Sequence, residues 1–152
     1  QKEFSRIMSL KDGTKKMSKS DPSSQSIINL NDDKEQIINK IRKAKTDNLL
    51  LPSTKEELKN RPEALNLIGI YCSLSESKID NFLKEFQGKN FSYFKNQLAD
   101  LMIEKICPIG IEIKKLLDDK NYLISVLKDG NERANLISTK KLKKIHEKIG
   151  FL

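Results

Sequence analysis

The sequence has 152 residues, of which 37% are hydrophobic and 33% are charged, and its formal net charge is +8. This composition suits one folded domain with a modest core and excludes a wholly disordered chain. No run of about 18 apolar residues is present, which excludes a transmembrane helix. The sequence starts without methionine or a signal peptide, so we expect a piece of a longer protein.

The positive charge lies at the two ends of the chain. Residues 1–50 and residues 111–152 each carry +4, whereas residues 51–110 are neutral. Basic ends favour an anionic partner, nucleic acid or nucleotide, because neutralised phosphates release counterions. A second explanation stays open, since 25 lysines against 4 arginines is also the bias that an AT-rich genome produces.

The predicted elements begin with a short strand at residues 6–10, RIMSL. Residues 11–26 contain glycine, proline and five serines without periodicity, and they form what we call the lysine loop. Asp32 and Glu35 then resemble a capping box at the start of a helix. The apolar face of that helix is predicted to consist of Ile37, Ile38, Ile41 and Ala44.

Further helices follow this one. Pro62 opens PEALNLIGIYCSL, in which Leu65, Ile68 and Cys72 have helical spacing. Ser75 is the predicted N-cap of the next helix, which has the apolar residues Ile79, Phe82, Leu83 and Phe86 and ends at Gly88. The longest helix begins near Ser92, and Pro108 is expected to kink it. Its predicted apolar side consists of Phe94, Leu98, Leu101, Met102, Ile106, Ile109, Ile113, Leu116 and Leu117. A short helix is predicted to end at Gly130, before a last helix with apolar residues Ala134, Ile137, Leu142, Ile145 and Ile149. The predicted fold is therefore mainly α, a helical bundle preceded by a strand and a loop.

The two cysteines and the single histidine form no metal-binding pattern. Cys72 and Cys107 are widely separated, and His146 lies on a charged helix face. Both cysteines stand among apolar residues, so we expect reduced core residues of a cytoplasmic protein.

The strongest functional signal is KMSKS at residues 16–20. Lys16 and Lys19 can bring two ammonium groups to a triphosphate, with the hydroxyls of Ser18 and Ser20 beside them. A lysine has a long, flexible stem and can follow a phosphate as it departs. On these residues alone, a solvated loop in a lysine-rich chain remains an alternative.

The pentapeptide resembles the second signature motif of the class I aminoacyl-tRNA synthetases. RIMSL before it, together with DPSSQSIINLNDD, KIRKAKTD and RPEALNLIGIYCSL after it, is similar to the tryptophanyl-tRNA synthetases of bacteria. The later segments FQGKNFSYFK and GNERANLIS are similar to the same family. The resemblance covers essentially all 152 residues.

The resemblance implies roles for the lysine loop. Lys16 and Lys19 are the candidate catalytic residues, because they would contact the pyrophosphate as it leaves. The tryptophan carboxylate would attack the α-phosphate of ATP, and Mg²⁺ is expected to accompany the ATP. The activated tryptophan would then be transferred to tRNA(Trp). The implied ATP-binding residues are Ile7, Met8, Lys16, Met17, Ser18, Lys19 and Ser20.

The last helix, TKKLKKIHEKIGF, is strongly basic, and its apolar residues Leu142, Ile145 and Ile149 are predicted to face a core. Lysines that cover a solvated face above a core give the same pattern, and this alternative remains open. The resemblance implies that this region approaches the tRNA anticodon, with Arg133, Lys140, Lys141 and Lys144 as candidate contacts.

The resemblance also implies a domain organisation. Residues 1–30 would hold the last strand and the lysine loop of a Rossmann-type domain, and residues 31–152 a helical anticodon-binding domain, with 31–48 as a connecting helix. The tryptophan pocket and the homodimer contacts would lie upstream, so we expect the 152-residue chain alone to be monomeric and inactive. A non-catalytic helical tRNA-binding module and a purely structural bundle remain as alternatives.

Overall fold

A computed structural model of the chain describes Phe4 and residues 6–151. These residues form two compact units, Gln1–Ile111 and Glu112–Leu152, and a 3-10 turn at Ser24–Ser26 precedes the α-helices. The predicted, mainly α-helical fold is confirmed. The helices of the described part are α1 (Lys34–Arg42), α2 (Lys55–Leu58), α3 (Pro62–Leu74), α4 (Ile79–Phe86), α5 (Phe91–Asp118) and α6 (Lys120–Ile149).

The core of the first unit is centred on an aromatic cluster. Phe82 and Phe86 stack with ring centroids 4.5 Å apart, and Phe94 meets Phe82 edge-on at 5.0 Å. Such pairs add about 0.5–1.5 kcal/mol each to the free energy gained by burial. Most of the predicted apolar faces of α1, α3 and α4 are confirmed by the buried residues Ile37, Ile41, Ala44, Ile68, Cys72, Ile79, Phe82, Leu83 and Phe86, whereas Leu65 is 37% exposed. The predicted apolar side of α5 is confirmed at Phe94, Leu98 and Met102 and is wrong at Ile109, Leu116 and Leu117, which are exposed.

Helix α1 begins with a capping box that lies one residue later than predicted. The Asp33 carboxylate accepts from the Gln36 amide at 2.8 Å, and the Gln36 side chain accepts from the Asp33 amide at 2.9 Å. Asp32 is instead buried, where it accepts from the Lys40 ammonium. The predicted capping box of Asp32 and Glu35 is therefore wrong, because the Asp32 carboxylate is buried and pairs with the buried Lys40.

The junctions around α3 and α4 agree only in part with prediction. Pro62 opens α3, and Gly88 follows α4 at a φ of 72°, both as predicted. Ser75 ends α3 instead of capping α4, because its hydroxyl donates to the Tyr71 carbonyl at 2.8 Å. Helix α2 was not predicted, since its four residues are too few for a periodic apolar face; Thr54 caps it.

Helix α6 runs without interruption through Gly130, where a break was predicted. A glycine in a helix interior costs only about 1 kcal/mol relative to alanine, which is too little to end a helix of 30 residues. The Arg133 guanidinium and the Asp129 carboxylate, 3.0 Å apart, join successive turns across this position. The predicted terminus at Gly150 is confirmed, with a φ of 74°.

The apolar side chains of α6 are exposed, contrary to the prediction that they face a core. Leu142, Ile145 and Ile149 are exposed by 52%, 42% and 60%. In the described part of the second unit, the end of α5 and α6 are the only elements, so no third element is present there to bury these side chains. No helix in the described part of the chain is long and apolar enough to cross a membrane.

Candidate functional site

The lysine loop starts in a narrow hairpin instead of the predicted strand. Met8 and Lys16 face each other as an isolated antiparallel bridge, and one backbone hydrogen bond on each side, at 2.8 and 3.1 Å, closes the hairpin. The predicted strand at residues 6–10 is therefore wrong. Two hydrogen bonds are too few for a ladder, and no strand among the described residues lies alongside.

Helix α3 holds the first arm of this hairpin through Asn66. The Met8 amide donates to Asn66 Oδ1 at 2.9 Å, and Asn66 Nδ2 donates to the Met8 carbonyl at 2.9 Å. Nδ2 also lies 3.4 Å from the Ser9 carbonyl oxygen. A single buried side chain therefore fixes the backbone that leads into the KMSKS residues.

The turn of the hairpin rests on the first turn of α3. A Cβ atom on Gly13 would lie 2.5 Å from the Glu63 amide nitrogen, so only glycine fits at this approach. The Glu63 carboxylate pairs with the Lys45 ammonium at 2.8 Å, and this hydrogen-bonded pair lowers the pKa of Glu63 and raises the pKa of Lys45. The hairpin is thus held by the helical core of its own unit.

Asp12 organises the same turn. Its carboxylate accepts from the Thr14 hydroxyl at 2.6 Å and from the Thr14 amide at 3.0 Å, and these bonds lower the pKa of Asp12 to about 2. The Lys15 ammonium lies 3.3 Å from the same carboxylate. One lysine of the loop is therefore already paired.

Two further lysines of the loop, Lys16 and Lys19, are exposed. Neither the Lys16 nor the Lys19 ammonium has an ion-pair or hydrogen-bond partner among the residues that the structure describes. In the sequence, Ser18 stands between the two lysines and Ser20 follows Lys19. The hydroxyl oxygens of the two serines lie 3.0 Å apart. Two free cations and two hydroxyls within five residues can bind a polyanion, because each lysine carries three donors and no internal counter-ion.

The predicted ATP-binding residues lie together in the first unit. Ile7, Met8 and Met17 belong to the hairpin, with Ile7 47% exposed and Met17 packed against the core. The Met17 amide donates to the Ile7 carbonyl at 3.1 Å, which brings these two positions side by side.

The predicted tRNA-binding residues belong to the second unit. Lys140, Lys141 and Lys144 are exposed on α6, and Lys140 and Lys144 lie one turn apart. None of the three has an ion-pair partner in the described part of the chain, whereas Arg133 pairs with Asp129. They form a basic helix face that is open to solvent.

Comparison with known proteins places this hairpin and bundle in a family. The family described as "tRNA synthetases class I (W and Y)" matches residues 3–105, which include the whole lysine loop and helices α1 to α4. The chain belongs to this family of class I tRNA synthetases.

Several members of the synthetase family are similar over nearly the whole chain. The tryptophan–tRNA ligases of Mesorhizobium japonicum and Agrobacterium fabrum are 52% and 51% identical over 147 residues, and that of Rickettsia felis is 44% identical. These alignments cover 97% of this chain but only 41%, 42% and 44% of the relatives. The chain therefore spans about two fifths of the length of the synthetases that it matches.

A solved synthetase has the same fold. The crystal structure of tryptophanyl-tRNA synthetase from Mycoplasma pneumoniae matches with a TM-score of 0.72 and 27% sequence identity. The match covers 99% of this chain and 46% of that one.

Sequence analysis missed the residues that hold the lysine loop in place. Asn66 is a polar residue inside an apolar helix, which is a detectable signal, because such a residue needs a buried partner. Gly13 and Glu63 give no comparable signal, since their contact joins segments 50 residues apart in the sequence.

Proposed function

We propose that the chain is the C-terminal part of an ATP-dependent tryptophan–tRNA ligase. It supplies the pyrophosphate-binding loop and a helical region that binds tRNA. The observation that carries this proposal is the 52% identity, over 97% of the chain, to a tryptophan–tRNA ligase. The geometry of the loop agrees with it, because Lys16 lies on a hairpin that the core holds in place and Lys19 follows it, and neither ammonium has a partner among the described residues.

In the proposed reaction, the tryptophan carboxylate attacks the α-phosphorus of ATP. The bond from that phosphorus to the bridging oxygen breaks, and its electron pair leaves with pyrophosphate. Lys16 and Lys19 bind the pyrophosphate oxygens, where negative charge grows in the transition state, and so they stabilise the transition state more than bound ATP. The protein contributes position and charge, and no covalent intermediate on a side chain is needed.

The remaining loop residues would bind the rest of ATP. Ile7, Met8 and Met17 are proposed to lie near the adenine, and Ser18 and Ser20 to donate to phosphate oxygens. No cluster of three His, Cys, Asp or Glu residues that could hold a metal occurs within Phe4 and residues 6–151. Mg²⁺ is proposed to accompany the bound ATP.

The exposed basic face of α6 is proposed to contact tRNA(Trp). Arg133, Lys140, Lys141 and Lys144 would neutralise phosphates, which positions the tRNA without reading its sequence. Homodimerisation of the complete protein, through residues outside this chain, and its cytoplasmic location remain predictions.

The proposal is tested by ATP–pyrophosphate exchange with the complete protein. We expect exchange that depends on tryptophan and is not supported by tyrosine, the other amino acid of this family. Exchange with tyrosine alone, or no exchange with either amino acid, would refute the proposed activity.

A second candidate, a tRNA-binding module without catalysis, is favoured by the unpaired lysines of α6. It predicts salt-sensitive tRNA binding by the complete protein together with no amino-acid-dependent exchange. The same exchange assay therefore separates the two candidates.

A further inference from the structure

Asn66 occupies a position where a polar side chain is costly. It is 8% exposed, and the residues that follow it in α3, Leu67 and Ile68, are buried in the core. A buried carboxamide without partners destabilises a fold. Among the residues that the structure describes, the hydrogen bonds of this carboxamide all go to the hairpin that leads into the KMSKS residues.

The hairpin explains why Met8 needs such a partner. The bonds that close the hairpin belong to the residues on either side of Met8 and Lys16, so these two form a non-hydrogen-bonded antiparallel pair. The amide and carbonyl of a residue in such a pair point away from the opposite arm. In Met8 both groups meet Asn66, at 2.9 Å each, so one side chain does what a neighbouring strand would do.

We infer that Asn66 is a positioning residue for ATP. It holds the backbone of Met8, and through it the start of the KMSKS residues, at a fixed place relative to α3. This inference rests on the proposed function. The inference goes beyond the proposed function, because it assigns a role in nucleotide affinity to a residue of the helical bundle that lies 58 positions after Met8 in the sequence.

The hydrogen-bond arrangement is tested by amide hydrogen exchange on the 152-residue chain. In Asn66→Ala we expect the Met8 amide to exchange at least about tenfold faster, because its acceptor is gone. The Leu10 amide, which donates to the Ser26 carbonyl at 2.9 Å, should be unchanged and serves as the internal reference. An unchanged Met8 rate would overturn the inference, and so would equal acceleration at Leu10.

The positioning role is tested by steady-state kinetics on the complete protein. Asn66→Ala should raise the KM for ATP about tenfold and leave the KM for tryptophan unchanged. Asn66→Asp should raise the KM for ATP at least as much, because its carboxylate keeps the acceptor for the Met8 amide but places a buried acceptor against the Met8 and Ser9 carbonyl oxygens. The control is Asn81→Ala, an exposed asparagine on α4, which should match the wild type.

The outcomes separate this inference from the proposed function. Faster Met8 exchange with an unchanged KM for ATP would reduce Asn66 to a purely structural role and overturn the inference. An equal rise in the KM for tryptophan would do the same. A wild-type protein without tryptophan-dependent exchange would instead refute the proposed function, while the Met8 exchange rates would still report on the hydrogen bonds themselves.

Discussion

Lys40 and Asp32 form an ion pair in which each side chain is only 6% exposed. Lys40 lies on the buried side of α1 beside Ile37 and Ile41, and Asp32 also accepts from the Asn29 amide at 2.8 Å. The pair therefore joins α1 to the segment that connects it with the lysine loop. Each of two charges that are removed from water in this way needs the other as its counter-ion.

Replacing Lys40 by methionine should destabilise the protein strongly. Lys40→Met leaves the Asp32 carboxylate buried without its counter-ion, and we expect a loss of about 3–5 kcal/mol in the free energy of unfolding, measured by urea denaturation. Lys34→Met, at an exposed position on α1, is the matched control and should change it by less than about 0.5 kcal/mol. A loss below about 1 kcal/mol for Lys40→Met would contradict the buried pair.

The contact between Gly13 and α3 makes a second prediction. Gly13→Ala places a Cβ against backbone atoms of Pro62 and Glu63 that cannot move aside, so we expect a loss of about 1–3 kcal/mol in stability. The control is Gly130→Ala within α6, where the added Cβ meets no described atom within 4 Å apart from its chain neighbours and the backbone of its own helix. That change should raise helix content by circular dichroism, with a gain of up to about 1 kcal/mol. Destabilisation by Gly130→Ala would speak against a continuous α6.

The turn at Asp12 makes a prediction about pH. The pKa of Asp12 lies at about 2, below its ordinary value of 3.8, so the folded state favours the ionised carboxylate. Its contribution to stability is complete above about pH 4 and is lost as the pH falls towards 2. A carboxyl-carbon NMR titration should give a midpoint near 2 in the wild type. In Thr14→Val the midpoint should rise, because the hydroxyl that bonds the carboxylate is removed; Thr54→Val is the control. A wild-type midpoint near 4 would count against this turn.

Local signals in the sequence predicted the existence of helices α3 and α4. Pro62 at a helix N-terminus and the apolar spacing of α3 and α4 were sufficient, because both act within one or two turns. The capping box was placed one residue early, because adjacent aspartates offer equivalent carboxylates and only the buried Lys40 decides between them. Tertiary contacts of that kind cannot be read from local spacing.

The candidate site was predicted by motif, but its support was not. KMSKS directed attention to Lys16 and Lys19, and the structure leaves both ammonium groups unpaired within its described residues. The hairpin, however, is fixed by Asn66 and by Gly13 against Glu63, and these contacts span about 50 residues or more of sequence. At Gly130 the sequence suggested a break, because the local cost of glycine is visible there while the cooperativity of a long helix is not.

The basic face of α6 should bind tRNA electrostatically. Binding of the 152-residue chain to tRNA should weaken steeply with salt. Lys140→Gln with Lys144→Gln should reduce the log–log slope by about 1 for each lysine that no longer neutralises a phosphate. The matched control is Lys59→Gln with Lys84→Gln, two exposed lysines of the first unit. Equal slopes for the two double variants would mean that α6 makes no specific interaction with the tRNA.

The central claim is that the unpaired lysines of the loop stabilise the departing pyrophosphate. Its most direct test is the single-turnover rate of tryptophan activation by the complete protein carrying Lys19→Ala. The control is Lys15→Ala, the neighbouring lysine whose ammonium already pairs with Asp12. We expect Lys19→Ala to lower the rate about 10²–10³-fold with nearly unchanged tryptophan affinity, and Lys15→Ala to change it far less. An unchanged rate in Lys19→Ala, or an equal loss in both variants, would contradict the claim.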